Sequence, residues 1–222
     1  MHIDTYHRVV RAVDLLTPQR FHAPVVPAVA GWAMRRVPDR RLLERRILPG
    51  IAAARHRRVL FVGTSRVPDT RTYHLDYPWG DTEFWTMDKD PEAAAWGGDR
   101  HWSGDICAVS ERFPAGWFDC VLLNGVLGWG VDTGPAQELA LEQCREVLSP
   151  GGLLVVGWNT SKCADPLRLS AVARHFERTT FAGLPARCEF AETDHVLDFL
   201  SARRTPPGGP DQPTDGTTVR NP

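Results

Sequence analysis

RRVLFVGTSRVPDT, residues 57 to 70, places two arginines before a short apolar run and stops that run at Gly63. Val59 to Val62 are β-branched or bulky and too few for a helix, so they read as a buried parallel strand. A strand that ends in glycine at a polar loop is where open α/β sheets hold their ligands. The pattern then repeats. EFWTMDKDP (83 to 91) is a second strand ending at Asp88, FDCVLLNG (118 to 125) a third ending at Asn124, and GGLLVVGWN (151 to 159) a fourth. Each carries polar residues at its carboxyl end, so one edge of a doubly wound sheet becomes polar, and that edge is the expected binding site.

The segments between these strands fill in the rest of the sheet. HWSGDI (101 to 106) reads as a further short strand ending near Asp105. Gly134 and Pro135 open a helix whose Ala136, Leu139, Ala140, Cys144, Val147 and Leu148 face the sheet, and Ser149-Pro150-Gly151-Gly152 ends it. Residues 166 to 176 are helical in pattern, and two closing strands are expected near Arg178 to Phe181 and His195 to Leu200. The loop from Thr64 to Asp81 is long and carries the polar and aromatic cluster Thr70, Arg71, Tyr73, His74 and Tyr77, and loops of that length are often functional.

Upstream, Tyr6, Val9, Val10, Val13 and Leu16 recur at helical spacing in an amphipathic segment that needs something to lie on. Pro18, Pro24 and Pro27 are expected to interrupt regular structure, leaving helical pieces over residues 29 to 36 and 40 to 48, with Pro38 and Pro49 as breaks and Asp39 as a cap. Residues 1 to 58 hold 12 arginines and no lysine against 4 acids, although the whole chain of 222 residues has a net charge of −1. Such asymmetry fits an acidic partner or a basic helical cap on an acidic domain, and because these arginines alternate with apolar residues the cap is favoured, serving as a lid or as plain structure. Residues 205 to 222 offer almost nothing to bury and are expected to be disordered.

A hydrophobic content of 42% with 24% charged residues is ordinary for a globular domain. The 5 cysteines are scattered without a C-x-x-C pair, which supports neither a disulfide framework nor a zinc site and fits a reducing compartment. No run reaches the ~18 apolar residues of a membrane span. The expectation is a cytoplasmic protein with no membrane partner, and without a basic aromatic groove it has no nucleic-acid partner either.

Taken together, VLFVG, FWTMDKDP, FDCVLLNGVLGWG and LSPGGLLVVGWN resemble the class I S-adenosylmethionine-dependent methyltransferases over about residues 57 to 204. More narrowly they look like a bacterial branch marked by an N-G-V-x-G-W-G segment and a later W-N. The resemblance implies an α/β, Rossmann-like sandwich on a mostly parallel seven-stranded sheet, with residues 1 to 56 as an N-terminal helical cap. It also implies S-adenosylmethionine as cofactor and a small-molecule or saccharide-like methyl acceptor. Gly63, Thr64 and Ser65 then meet the methionine carboxylate, and Asp88, with Lys89 beside it, takes the ribose hydroxyls. Asp105 and Ile106 hold the adenine, and Asn124 and Gly125 lie beneath the cofactor. Trp129, Trp158 and Asn159 fall to the substrate side, and Tyr73 and His74 are the candidates for a base or an orienting group.

Each position also has a plainer reading. Asp90 could cap a short helix with Asp88 a solvated turn residue, Gly104-Asp105 and Asn124-Gly125 are ordinary turn pairs, and most of the 8 tryptophans must be packing. His195 and Asp198 read as structural. The sequence departs from the family pattern at Phe61, where an acid is usual, and at Ser65 and Val67, where the loop usually has glycine. Those departures leave open an accessory protein that keeps the fold without the cofactor. A nicotinamide-dependent oxidoreductase is disfavoured, since G-x-G-x-x-G is absent and Tyr73 has no lysine four residues on.

Overall fold

The computed structural model describes residues 1 to 64 and 73 to 204, together with backbone alone at Ala23, Pro24 and Tyr73. The expected apolar runs are its central strands. They are β1 (Arg58–Val62), β2 (Glu83–Asp88), β3 (His101–Ser103), β4 (Phe118–Asn124) and β5 (Leu148–Asn159), all mutually parallel. Three strands close the sheet: β6 (Phe176–Arg178), β7 (Arg187–Glu189) and β8 (His195–Ala202). The order is β3-β2-β1-β4-β5-β8-β6, with β7 also on β8. β8 is antiparallel to β5, and β6 and β7 are both antiparallel to β8. Among the described residues the sheet therefore has eight strands where seven were expected. β6 pairs with Leu200 to Ala202 and β7 with Val196 to Asp198, so two short pieces share the seventh position.

Alternation along the strands sends side chains to two cores, as a sheet covered on both faces requires. Leu60, Val62, Val121, Leu123, Leu154 and Val156 pack on one side, with Leu141, Cys144 and Val147 of a covering helix. Val59, Phe61, Cys120, Leu122 and Val155 pack on the other, against Leu43, Ile47, Leu48 and Ile51. Each fully buried apolar side chain contributes roughly 1.5–3 kcal/mol. The order reverses between β1 and β4, and the carboxyl ends of these two strands, Gly63 and Asn124, flank the switch point.

The helices are α1 (Ile3–Leu16), α2 (Gln19–Met34), α3 (Pro38–Leu42), α4 (Leu48–Ala53), α5 (Val109–Arg112), α6 (Gly134–Val147) and α7 (Ser170–His175). α6 starts as expected, with Thr133 Oγ1 accepting from the Ala136 N–H, but Leu139 is exposed and Leu141 takes its place in the core. Residues 166 to 176 form two short pieces, a 3₁₀ turn (Pro166–Arg168) and α7, after which Phe176 begins β6. The closing strand lies at 176 to 178, ahead of the expected 178 to 181.

The N-terminal region departs most from expectation. α2 runs through Pro24 and Pro27 without a break. A proline inside a helix costs about 3 kcal/mol, and packing of Ala33 and Met34 on Tyr6 and Val37 offsets that cost. Pro49 does not break its segment either, because a π-helical turn (Leu43–Ile47) re-registers the helix just ahead of it, with the Leu48 N–H reaching back five residues to the Leu43 carbonyl. Val37, not Asp39, is the residue at the N-terminus of α3. Packing divides the cap in two: Leu43 to Ile51 belong to the sheet's core, while Tyr6, Ala33, Met34 and Val37 form a small cluster of their own. The Ile3 N–H ties α1 to the Glu192 carbonyl at 3.1 Å, just before β8.

Candidate active site

The carboxyl ends of the parallel strands open into a cleft of about 660 Å³. Its floor is the polar rim anticipated from the strands: Gly63 and Thr64 after β1, Asp88 and Lys89 at the end of β2, Asp105 and Ile106 after β3. Asn124 and Gly125 continue it from β4, and Asn159 from β5. Its roof is the N-terminal region, through Tyr6, His7, Met34, Val37, Asp39 and Arg40.

Gly63 has φ +96°, and a Cβ there would stand 2.3 Å from the Asn124 carbonyl oxygen, so only glycine lets β1 and β4 meet at the switch point. Thr64 beside it is buried, and its Oγ1 has no hydrogen-bond partner among the described residues. A buried hydroxyl without a partner is costly unless a ligand supplies one. Asp88 Oδ1 accepts from the Asp90 N–H at 3.0 Å, and Asp90 in turn caps the next 3₁₀ turn through the Glu92 N–H. The capping role therefore falls to Asp90, while Asp88 borders the cleft. Asp105 Oδ1 accepts from the Cys107 N–H at 2.9 Å, which turns the chain so that Ile106 is buried against the cleft. Lys89 Nζ donates to the Gly130 carbonyl at 2.8 Å, fastening the loop after β2 to the loop after β4.

On the other side of Asn124, Trp129 Nε1 donates to Asn159 Oδ1 at 3.1 Å, and Asn159 Nδ2 donates to Asp194 Oδ1 at 2.8 Å. Trp129 is half exposed, with Lys162 Nζ 4.4 Å from its ring centroid. Trp129 and Asn159 are thus brought together at the cleft. Trp158 is not with them. Neighbours on a strand point to opposite faces, so Trp158 is buried in the core, donating from Nε1 to Asp198 Oδ2 at 2.9 Å. Asp198 is in turn held by Arg187, whose Nε lies 2.7 Å from its Oδ1 and whose Nη1 lies 2.8 Å from Asp165 Oδ2.

His74 also reaches the cleft, but it is buried and stacks on Phe61 with ring centroids 4.8 Å apart. Burial is the main cause that holds its pKa down to about 4, against a partly compensating backbone hydrogen bond at Trp96. Phe61 is thus a core residue beneath His74. Ser65, Val67, Thr70, Arg71, the side chain of Tyr73 and the tail from residue 205 lie outside the described residues.

His195, read from the sequence as structural, lines the cleft instead. Its Nδ1 is 3.3 Å from Asp39 Oδ2 of the roof. A Cβ on Gly157 would stand 2.6 Å from Asn124 Oδ1 and 3.1 Å from His195 Nε2, so the imidazole and the Asn124 side chain meet above that glycine. Burial lowers the pKa of His195, and the Asp39 carboxylate opposes that shift. The histidine and its partner are 156 residues apart, so no local spacing announces them.

No protein-family model matches the chain, and no curated protein matches it. Solved structures do match. The N-methyltransferase NodS from Bradyrhizobium japonicum, in complex with S-adenosyl-L-homocysteine, is 13% identical with a TM-score of 0.58, over 78% of this chain and 92% of that one. A TehB-like SAM-dependent methyltransferase from Corynebacterium glutamicum is 14% identical with a TM-score of 0.51, over 70% of this chain and 86% of that one. The 1,6-didemethyltoxoflavin-N1-methyltransferase of Burkholderia thailandensis, with bound 1,6-didemethyltoxoflavin and S-adenosylhomocysteine, is 18% identical with a TM-score of 0.50, over 86% and 92%. With a parallel sheet that reverses at β1 and β4 and closes through an antiparallel β8, the chain has the fold of the class I S-adenosylmethionine-dependent methyltransferases.

Proposed function

We propose that the protein is an S-adenosylmethionine-dependent methyltransferase acting on a small-molecule acceptor. The observation that carries this reading is a single one: the rim residues at the ends of β1, β2 and β4, with Asp105 just past β3, open into one cleft, where the buried Thr64 hydroxyl has no partner among the described residues. A volume of about 660 Å³ is that of a small-molecule site. When bound, the cofactor supplies an electrophilic methyl group on a sulfonium. Thr64 Oγ1 and the backbone after Gly63 receive its carboxylate, Asp88 accepts from the ribose hydroxyls, and Ile106 and Asp105 receive the base. Asn124 and Gly125 form the floor under it.

The remaining part of the cleft is for the acceptor. Tyr6, Met34 and Val37 offer an apolar wall, and Asp39, His195, Asn159 and Trp129 offer polar and aromatic groups, which suits a compact acceptor with one apolar face and one hydroxyl or amine. His195 lines the acceptor's part of the cleft with its Nδ1 3.3 Å from Asp39 Oδ2, and burial favours its neutral form, so it is the group placed to meet the acceptor's hydroxyl or amine. Burial lowers the pKa of His74 as well, and its ring is stacked on Phe61, so we assign it to the wall. Holding nucleophile and methyl in line is where most of the rate enhancement arises.

Titration calorimetry with S-adenosylmethionine, S-adenosylhomocysteine and NADH tests the reading. S-adenosylhomocysteine is expected to bind, and Asp88→Ala to weaken it by about 1.5–3 kcal/mol, the worth of hydrogen bonds to a charged group. Absence of binding by either sulfur nucleoside would leave an accessory protein of the same fold, and binding of NADH alone would indicate an oxidoreductase.

A further inference from the structure

The outer face of the α1–α2 hairpin is apolar where it should be polar. Among the described residues seven large hydrophobic side chains are exposed, and five of them, Leu15, Leu16, Phe21, Val25 and Trp32, fall within this hairpin. Leu15 and Leu16 stand at its tip, 74% and 82% exposed. Phe21, Val25 and Trp32 are spaced i, i+4 and i+11 along α2, one stripe on one face. The opposite face is already used, since Ala30, Ala33 and Met34 are buried.

The charge around the stripe has one sign. Arg20 lies 4.8 Å from the Phe21 ring centroid at one end, and Arg36 lies 3.6 Å from the Trp32 ring centroid at the other. Arg8, Arg11 and Arg35 are exposed on the same hairpin. Its two acids, Asp4 and Asp14, both lie on α1, and Asp14 is held by His22 at 2.9 Å. The resulting surface is an apolar strip with a tryptophan, bordered by arginines whose stems lie along aromatic rings. An interfacial helix has this form: rings and leucines enter the acyl boundary while guanidinium groups meet lipid phosphates.

We propose that the α1–α2 hairpin docks on an anionic bilayer surface. A second copy of the chain fits the same strip poorly. Pairing two α2 helices antiparallel sets Arg20 against Arg35 and Arg36, and pairing them parallel sets each arginine against itself, so like charges meet either way. No helix among the described residues is long and apolar enough to cross a membrane, and the sequence expectation of no membrane partner rested on the lack of a long apolar run and on the net charge of the whole chain. Lying on a surface asks for an exposed apolar strip and a charge, not a span. The inference is independent of the reaction proposed for the cleft.

The test is co-sedimentation of the full chain with vesicles of phosphatidylglycerol and phosphatidylcholine in equal parts, and with phosphatidylcholine alone. The protein is expected to pellet with the anionic vesicles and to remain in solution with the neutral ones. The double variant Phe21→Ala, Trp32→Ala and the triple variant Arg20→Gln, Arg35→Gln, Arg36→Gln should each lower the bound fraction at least about tenfold. These positions are exposed, so circular dichroism of the variants should match the parent. Equal pelleting of the parent and both variants, or no pelleting on anionic vesicles, overturns the proposal. A concentration-dependent dimer in light scattering that the aromatic variant abolishes would overturn it in favour of self-association.

Discussion

The floor of the cleft and its roof are made by different means. The floor is the end of a sheet whose central strands are buried on both faces, so the rim residues sit at or just past the ends of strands that are fixed by pairing with their neighbours. The roof is a helical hairpin that holds itself together with Tyr6, Ala33, Met34 and Val37, and reaches the sheet through Ile3 and Asp39. Cofactor contacts on this reading lie on the floor, where positions are fixed, whereas acceptor contacts are shared between sheet-side residues, Asn159, Trp129 and His195, and the roof, where little apolar area secures them. The difference separates what can be altered without unfolding the protein from what cannot.

The largest expected effect is on the sheet side. Arg187→Ala leaves the Asp198 carboxylate buried and removes its charge partner, a change that costs about 3–5 kcal/mol. Urea denaturation should show a cooperative loss of that size, and a loss below about 1 kcal/mol would mean that Trp158 and nearby dipoles hold Asp198 by themselves. Acid comes next. His74 has a folded pKa of about 4, below its ordinary 6.5, so the unfolded chain binds more protons between those values. The stability it contributes is complete above 6.5 and falls as pH drops toward about 4, by roughly 3 kcal/mol in total. His74→Phe keeps a ring on Phe61 and should flatten this part of the pH profile; an unchanged profile would place the acid sensitivity elsewhere. The roof gives the smallest global effect. Met34→Ala should cost about 2 kcal/mol locally, read as faster amide exchange in α1 and α2, with the sheet amides unmoved. Equal acceleration in both regions would show roof and floor to be one cooperative unit.

The same contrast governs what could be read from the chain. β1, β2, β4 and β5 are near-continuous apolar runs ending in Gly63, Asp88, Asn124 and Asn159, and two buried faces leave that signal unmixed. Helix α2 was hidden because Pro24 and Pro27 argue locally against it, whereas the packing that sustains it comes from Tyr6 on another helix. β7 is three residues long and is defined by β8 rather than by its own pattern. Trp158 and Asn159 were both placed on the substrate side, yet Trp158 turns into the core beside Asp198 while Asn159, the last residue of β5, reaches the cleft; with both faces of β5 buried, polarity did not show which one would. His195 and Asp39 are the plainest case: two ordinary residues that become a pair only through the fold.

The most direct measurement is a crystal structure of the protein grown with S-adenosylhomocysteine. The nucleoside should lie along the floor, with its ribose on Asp88, its adenine beside Ile106, its carboxylate at Thr64, and its sulfur facing the space bounded by Asn124, Trp129 and His195. A floor filled by the protein's own side chains, or a nucleoside bound away from Gly63 and Asp88, would contradict the methyltransferase reading and leave only the fold.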